Sequence, residues 1–306
     1  MSGHVWRRDG ALRGRAGHAV VLLALVAALL VGPAPAHADD PAPGSTDPAQ
    51  VLTATGGQRV KGTARLGRTL RVRTGRWSMP LDSLTVRWLR DGEPIVPARK
   101  AGKRRYQPTW RDVGHRLSVR ITAVSGIQTV SVDTASTTKV KHLHDVRRTI
   151  RYEVRSRGNV TADLATFEKL AQQTYDDPRG WRAAGIRFVR VESGGSMTLW
   201  LAAASELPRF SAQCSSQWSC RVGRNVVVNQ DRWQGASSSW NAAGGSLRDY
   251  RHLVVNHETG HFLGLGHSGC PHPGAPAPVM MQQSKGLSGC RFNPWPTAAE
   301  IAKVSP

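Results

Sequence analysis

The sequence predicts two folded parts, an all-β sandwich followed by an α+β domain, and three observations carry that prediction. Residues 55–142 alternate apolar and polar side chains and show no helical periodicity. From Val146 onward, strand-like runs are interspersed with helical ones. Within the second part, "HETGHFLGLGH" at residues 257–267 sets three histidines and a glutamate at a spacing suited to one metal ion. With 306 residues, 40% hydrophobic and 21% charged, the chain can form two cores and is too apolar for wholesale disorder.

The first 38 residues stand outside both parts. A basic stretch, "MSGHVWRRDGALRGRAGH", precedes an apolar run at residues 19–32 and an "AHA" site ending at Ala38, the layout of a cleavable secretory signal peptide. The run is shorter than the roughly 20 residues a spanning helix needs. No other segment reaches that length, so we expect an exported chain, secreted or resting on the cell envelope, with no transmembrane segment after signal cleavage. Residues 39–54, which open "DDPAPGSTDPAQ", read as a disordered linker.

Export places the cysteines in an oxidising compartment, which favours disulfides over thiolate metal ligands. Cys214, Cys220, Cys270 and Cys290 permit three pairings, and the shortest loops join Cys214 to Cys220 and Cys270 to Cys290.

In residues 55–142 the strands are "TLRVRTG", "LTVRWLRDG" and "HRLSVRITAV", with Asp91-Gly92 as a hairpin turn and Trp77, Trp88 and Trp110 as core anchors. The span 51–142 holds 19 Lys and Arg against 5 Asp and Glu, +14 of the chain's formal +21. A field of one sign draws polyanions such as phosphate- or carboxylate-bearing envelope polymers, although Arg-rich strands also simply solvate a sheet's outer face. No helix-turn-helix, zinc-finger or aromatic-basic RNA motif occurs, so a specific nucleic-acid reader is not expected. At "GRW", "VRWLRDGEPI" and "YQPTWRDVGHRLSVRITA" this segment resembles the immunoglobulin-like repeats of secreted proteins from high-GC Gram-positive bacteria. The resemblance implies an immunoglobulin-like sandwich with a spacer or adhesive role.

The second part, residues 143–306, opens with the strand "TIRYEVRS" and a helix from Thr161, whose Leu164, Phe167, Leu170, Ala171 and Tyr175 share one face before Asp177-Pro178 stops it. Strands "IRFVRVES", "MTLWLAAA" and "RNVVVNQ" follow. Gly244-Gly245 and then Ser246, with Asp249 three residues on, mark the next helix start. On that helix His257 and His261, one turn apart, project from one face. Glu258, about 100° round the helix, is placed to act on a water at the ion rather than to bind it. Gly264 lets the chain leave through a left-handed conformation and bring His267 back toward the same ion. Three neutral imidazoles with an open position suit catalytic Zn2+ better than a structural site, which takes four protein ligands. His252, five residues before His257, falls off the ligand face, and His272, on a Pro-rich loop, is expected to be solvated.

His257-Glu258-x-x-His261-x-x-Gly264-x-x-His267 resembles the extended zinc signature of the metzincin metallopeptidases, and with Ser268 it is most similar to the matrixin branch. "APVMMQQ" resembles the metzincin Met-turn, with Met280 fitting the spacing better than Met281. The resemblance implies an α+β zincin, metzincin-like catalytic domain in which His257, His261 and His267 hold zinc, Glu258 activates the attacking water, and Met280 supports the ligand cage. It implies a protein or peptide substrate bound along a sheet edge, for which residues 226–228 are the expected strand. The overall pattern is also similar to a family of secreted actinobacterial proteins with a zincin-like domain. Three departures stand out: a longer gap from His267 to Met280 containing Cys270, no cysteine before the domain to act as a latency switch, and no tyrosine after the Met-turn. The reading expected is a secreted zinc endopeptidase. The alternatives are an envelope-binding protein with a non-catalytic zincin domain and an amidase acting on peptidoglycan peptides.

Overall fold

In the sandwich region the alternation produces two antiparallel sheets that face one core. The computed structural model describes residues 50–96 and 102–305; the signal peptide and most of the 39–54 linker lie outside them. One sheet joins β1 (Ala54–Lys61), β2 (Leu70–Trp77) and β5 (Arg105–Tyr106). The other runs β4 (Glu93–Pro94), β3 (Ser83–Arg90), β6 (Leu117–Ser125) and β7 (Gln128–Asp133). Leu70, Val72, Trp88, Leu117, Val119 and Ile121 fill the space between them. Asp91 at φ 49° and Gly92 at φ 88° close β3 onto β4, the left-handed pair a two-residue hairpin requires.

Leu52 is already buried and donates its N–H to Gln128 Oε1 at 2.7 Å, so ordered structure begins ahead of the expected boundary at residue 55. Trp88 is the core anchor; its indole donates to the Lys103 carbonyl. Trp110 is not a core residue: it is 37% exposed, because it sits on a short 3-10 turn facing the rest of the chain rather than on a strand. There the Arg179 guanidinium lies between two indoles, 3.8 Å from the Trp110 ring centroid and 4.1 Å from that of Trp295.

Five of the basic residues lie on the outer face of the three-stranded sheet. Arg59 stands opposite Arg73, Lys61 opposite Arg71, and Arg71 opposite Arg105, all exposed.

The second region is a five-stranded sheet in the order β11 (Cys220–Val222), β12 (Asn225–Asn229), β10 (Met197–Ala202), β8 (Arg148–Arg157), β9 (Ile186–Arg190). Four strands are parallel and β11 alone is antiparallel. The edge expected at residues 226–228 is therefore interior. Val226, Val227 and Val228 are fully buried and β12 is paired on both sides. An unbroken apolar run marks a strand covered on both faces, whereas the real edge, Cys-Arg-Val, carries the charge an exposed edge carries.

Helix α1 (Leu164–Asp176) starts at Asp163, whose side chain accepts from the Thr166 N–H, two residues later than the expected Thr161 start. It packs its predicted face on the sheet and against α4 (Leu247–Phe262), with short α2 (Gln230–Gly235) and α3 (Ser238–Ala242) between and α5 (Ala298–Val304) at the end. The result is mixed α/β, mostly sheet with few helices, and residues from Gln50 onward form one compact unit. Among the described residues no helix is long and apolar enough to cross a membrane. Cys214 pairs with Cys220 and Cys270 with Cys290, as loop length predicts.

Candidate metal centre

α4 carries two of the three histidines, and both of its ends are fixed by local chemistry. At the start, Ser246 Oγ accepts from the Asp249 N–H at 3.0 Å. The return bond differs from a full capping box: the Asp249 carboxylate accepts from the Ser246 hydroxyl, not from its backbone. Gly245 is required just ahead because a Cβ there would overlap the Trp240 indole. At the other end Gly264, φ 95°, is left-handed; its N–H donates to the His261 carbonyl and the Leu265 N–H to that of Gly260. That reversal delivers both the Leu265 carbonyl and His267 to the same side as His261.

His257 Nδ1 donates to the Val279 carbonyl at 2.7 Å, and His261 Nδ1 to the Leu265 carbonyl at 2.8 Å. A carbonyl can only accept, so both rings carry their proton on Nδ1 and turn the Nε2 lone pair inward. His261 Nε2 lies 3.2 Å from His267 Nε2, and the ligand atoms of His257, His261 and His267 all fall within 4.8 Å of one another. Two lone pairs facing at that distance repel unless a cation or a proton sits between them. Burial pushes His257 down to about 3 and lowers His261 and His267 as well, so the rings are neutral donors at neutral pH. The donor set fits a borderline divalent metal such as zinc.

Glu258 is 6% exposed and, among the described residues, accepts no hydrogen bond. Burial pushes it up to about 8, with Arg221 pulling the other way. A cation on the neighbouring imidazoles would favour its ionised form.

Met280 is fully buried directly beneath α4, where a Cβ on Gly260 would overlap its Sδ and come within 3.0 Å of Trp181 Cζ2. Met281 instead lines the cavity beside the histidines. The Ser268 N–H donates to the Met280 carbonyl, tying the His267 loop to this turn. His272 is exposed and outside the cluster. His252 faces away from it, buried against Thr174 and Trp295.

Several supporting residues carry little sequence signal. The buried carboxylate of Glu300 accepts from the Met280 N–H at 2.8 Å and the Val279 N–H at 3.1 Å, fixing the carbonyl that orients His257. Glu300 also closes a capping box with Thr297, and "TAAE" was the one cue available. Asn256 and Thr259 lock the buried back of α4 through bonds to the Pro294 carbonyl and Tyr175 hydroxyl.

Three convergent imidazoles beside a buried carboxylate on a mixed α/β fold define a protein with a candidate metal centre. A family described as "Protein of unknown function (DUF3152)" matches residues 127–298, and the chain belongs to that family. The match takes in β7, the whole five-stranded sheet and the histidine site. No curated protein matches the chain.

Proposed function

We propose that this chain is a secreted, zinc-dependent endopeptidase with a metzincin-like catalytic domain preceded by an immunoglobulin-like sandwich. The observation that carries the reading is the pair of Nδ1 locks on His257 and His261, which aim two lone pairs toward His267 with Glu258 alongside. Zinc held there supplies a Lewis acid for a peptide carbonyl and its attacking water. Glu258 takes the water's proton and passes it to the leaving amine. The β11 edge, with free backbone groups on one side, pairs with the substrate main chain and holds it extended across the site. The Cys214–Cys220 disulfide closes on β11 and keeps that edge in place.

The cationic face supports a companion role for the sandwich, attachment to anionic envelope polymers. Like charges directly across strands are destabilising, and three such pairs stand in register with their side chains exposed. A polyanion laid along the sheet relieves that repulsion.

The test is cleavage profiling of a diverse peptide library by the zinc-loaded mature chain, beside the Glu258→Ala variant. The expected outcome is cuts by the first and none by the second, with stoichiometric zinc in both. A folded, zinc-loaded wild-type chain that cuts no peptide would overturn the endopeptidase reading. Hydrolysis of purified envelope peptides alone would replace it with the amidase reading.

A further inference from the structure

Beside the histidines opens a cavity of about 390 Å³. Its inner wall is apolar, built from Tyr250, Leu253 and Val254 of α4 and from Met281, none more than 6% exposed. Its mouth is cationic. Arg221 of β11 and Lys285 both line it with exposed side chains, and Glu258 is the sole carboxylate among its lining residues. Lys285 lies over the Trp218 ring, its Nζ 6.0 Å from the centroid. Neither cation forms an ion pair among the described residues.

Arg221 and Lys285 line the same cavity as Glu258 and the three histidines. Two unpaired cations beside a centre suited to a divalent metal crowd positive charge around one cavity. An anion entering with the substrate relieves that crowding, and the anion peptides carry is a carboxylate. The apolar depth asks for the opposite chemistry. A substrate satisfying both places an apolar side chain inward and a carboxylate at the rim.

We propose that this cavity selects substrates by a carboxylate. An apolar residue adjoining the cleaved bond fills the depth, and Arg221 and Lys285 hold either that residue's free terminal carboxylate or the acidic side chain of its neighbour. The proposal rests on the peptidase reading and adds a substrate class to it: the acidic side chain keeps the cleavage internal, whereas the terminal carboxylate makes it carboxypeptidase-like.

Four matched peptides test it on the zinc-loaded mature chain: a free acid ending one residue beyond the cleaved bond, its terminal amide, a longer peptide with Glu next to the apolar residue, and the same peptide with Gln. Roughly tenfold higher kcat/KM is expected for a carboxylate peptide than for its uncharged partner. Acid over amide assigns the terminal carboxylate, and Glu over Gln assigns the side chain. Reversal to Arg221→Glu/Lys285→Glu should abolish or invert the preference, and the milder Lys285→Gln should weaken it without endangering the fold. Calorimetric binding of the same peptides to Glu258→Ala provides a readout without turnover. Cleavage without any carboxylate preference overturns this inference and leaves the peptidase reading standing. Preferential binding without cleavage does the reverse, and the absence of both overturns both.

Discussion

Gly260, an unspecified position in the histidine signature, is where a single methyl group should do most harm. In an ordinary helix interior Gly→Ala stabilises by about 1 kcal/mol. Here the new Cβ would overlap Met280 Sδ and press on Trp181, and both side chains are fully buried. Overpacking of that kind costs about 1–3 kcal/mol, and with both neighbours fully buried the upper end applies. The net effect of Gly260→Ala is a loss of about 2 kcal/mol, or about 4–8 °C in Tm for a unit of this size. The displaced turn also moves the Val279 carbonyl that orients His257, so zinc affinity should fall roughly tenfold. Met280→Ala alone should cost about 2–5 kcal/mol by leaving a cavity. In the double variant the new methyl occupies part of that cavity, so the combined loss should be smaller than the sum by at least about 1 kcal/mol. Urea unfolding of the chelated proteins closes the cycle, and competition with a chromophoric chelator gives the zinc affinities. Additivity within about 0.5 kcal/mol, or a stabilising Gly260→Ala, would refute the reasoning.

Other outcomes follow from the same contacts. Glu300→Gln replaces an acceptor of the Val279 and Met280 amides with a group that also donates; it should cost about 2 kcal/mol and weaken zinc binding, measured by unfolding and chelator competition. Burial holds His252 and His142 down to about 4, below the 6.5 at which they titrate unfolded. Between those values the unfolded chain binds protons that the folded one does not, so stability of the metal-free protein falls as pH drops from about 6.5 to 4. His252→Gln should reduce that slope by up to about 1.4 kcal/mol per pH unit, read from urea midpoints at a series of pH values; an unchanged slope would exclude His252 as a source. Arg71→Glu should act with opposite signs on two properties. It removes two like-charge pairs and so stabilises by about 0.5 kcal/mol, while binding of polyphosphate weakens and grows less salt-sensitive. Equal polyphosphate binding by the variant would count against the cationic face as an attachment surface.

The features legible in the sequence are those set by neighbours along the chain. Strand alternation, the Asp91-Gly92 turn, the helix cap at Ser246, the Gly264 reversal and the Cys214–Cys220 pair each depend on a few consecutive residues. What escaped reading depends on partners far away. β11 has three residues, too few to show a period, and becomes an edge only because β12 binds it on one side alone. Glu300 looks like an ordinary capping residue until the turn 20 residues earlier folds onto it. Trp110 has the composition of a core residue, yet its backbone turn presents it to an arginine 69 positions away. The candidate site shows the same division: motif spacing marks the three histidines and Glu258, whereas the cavity chemistry of Arg221 and Lys285 emerges only when separate loops meet.

The guanidinium of Arg179, clasped between Trp110 and Trp295 and held by Asp177, joins the sandwich to the second sheet region through packed side chains. Trp295 rests in turn on His252, a residue of the helix that carries the histidine site. A pull on the sandwich therefore reaches the back of that helix through stacked rings rather than being absorbed by a slack tether. Were the cationic face to moor the protein as proposed, this joint would set the height of the cleft above the surface, and only groups presented at that height would come within its reach.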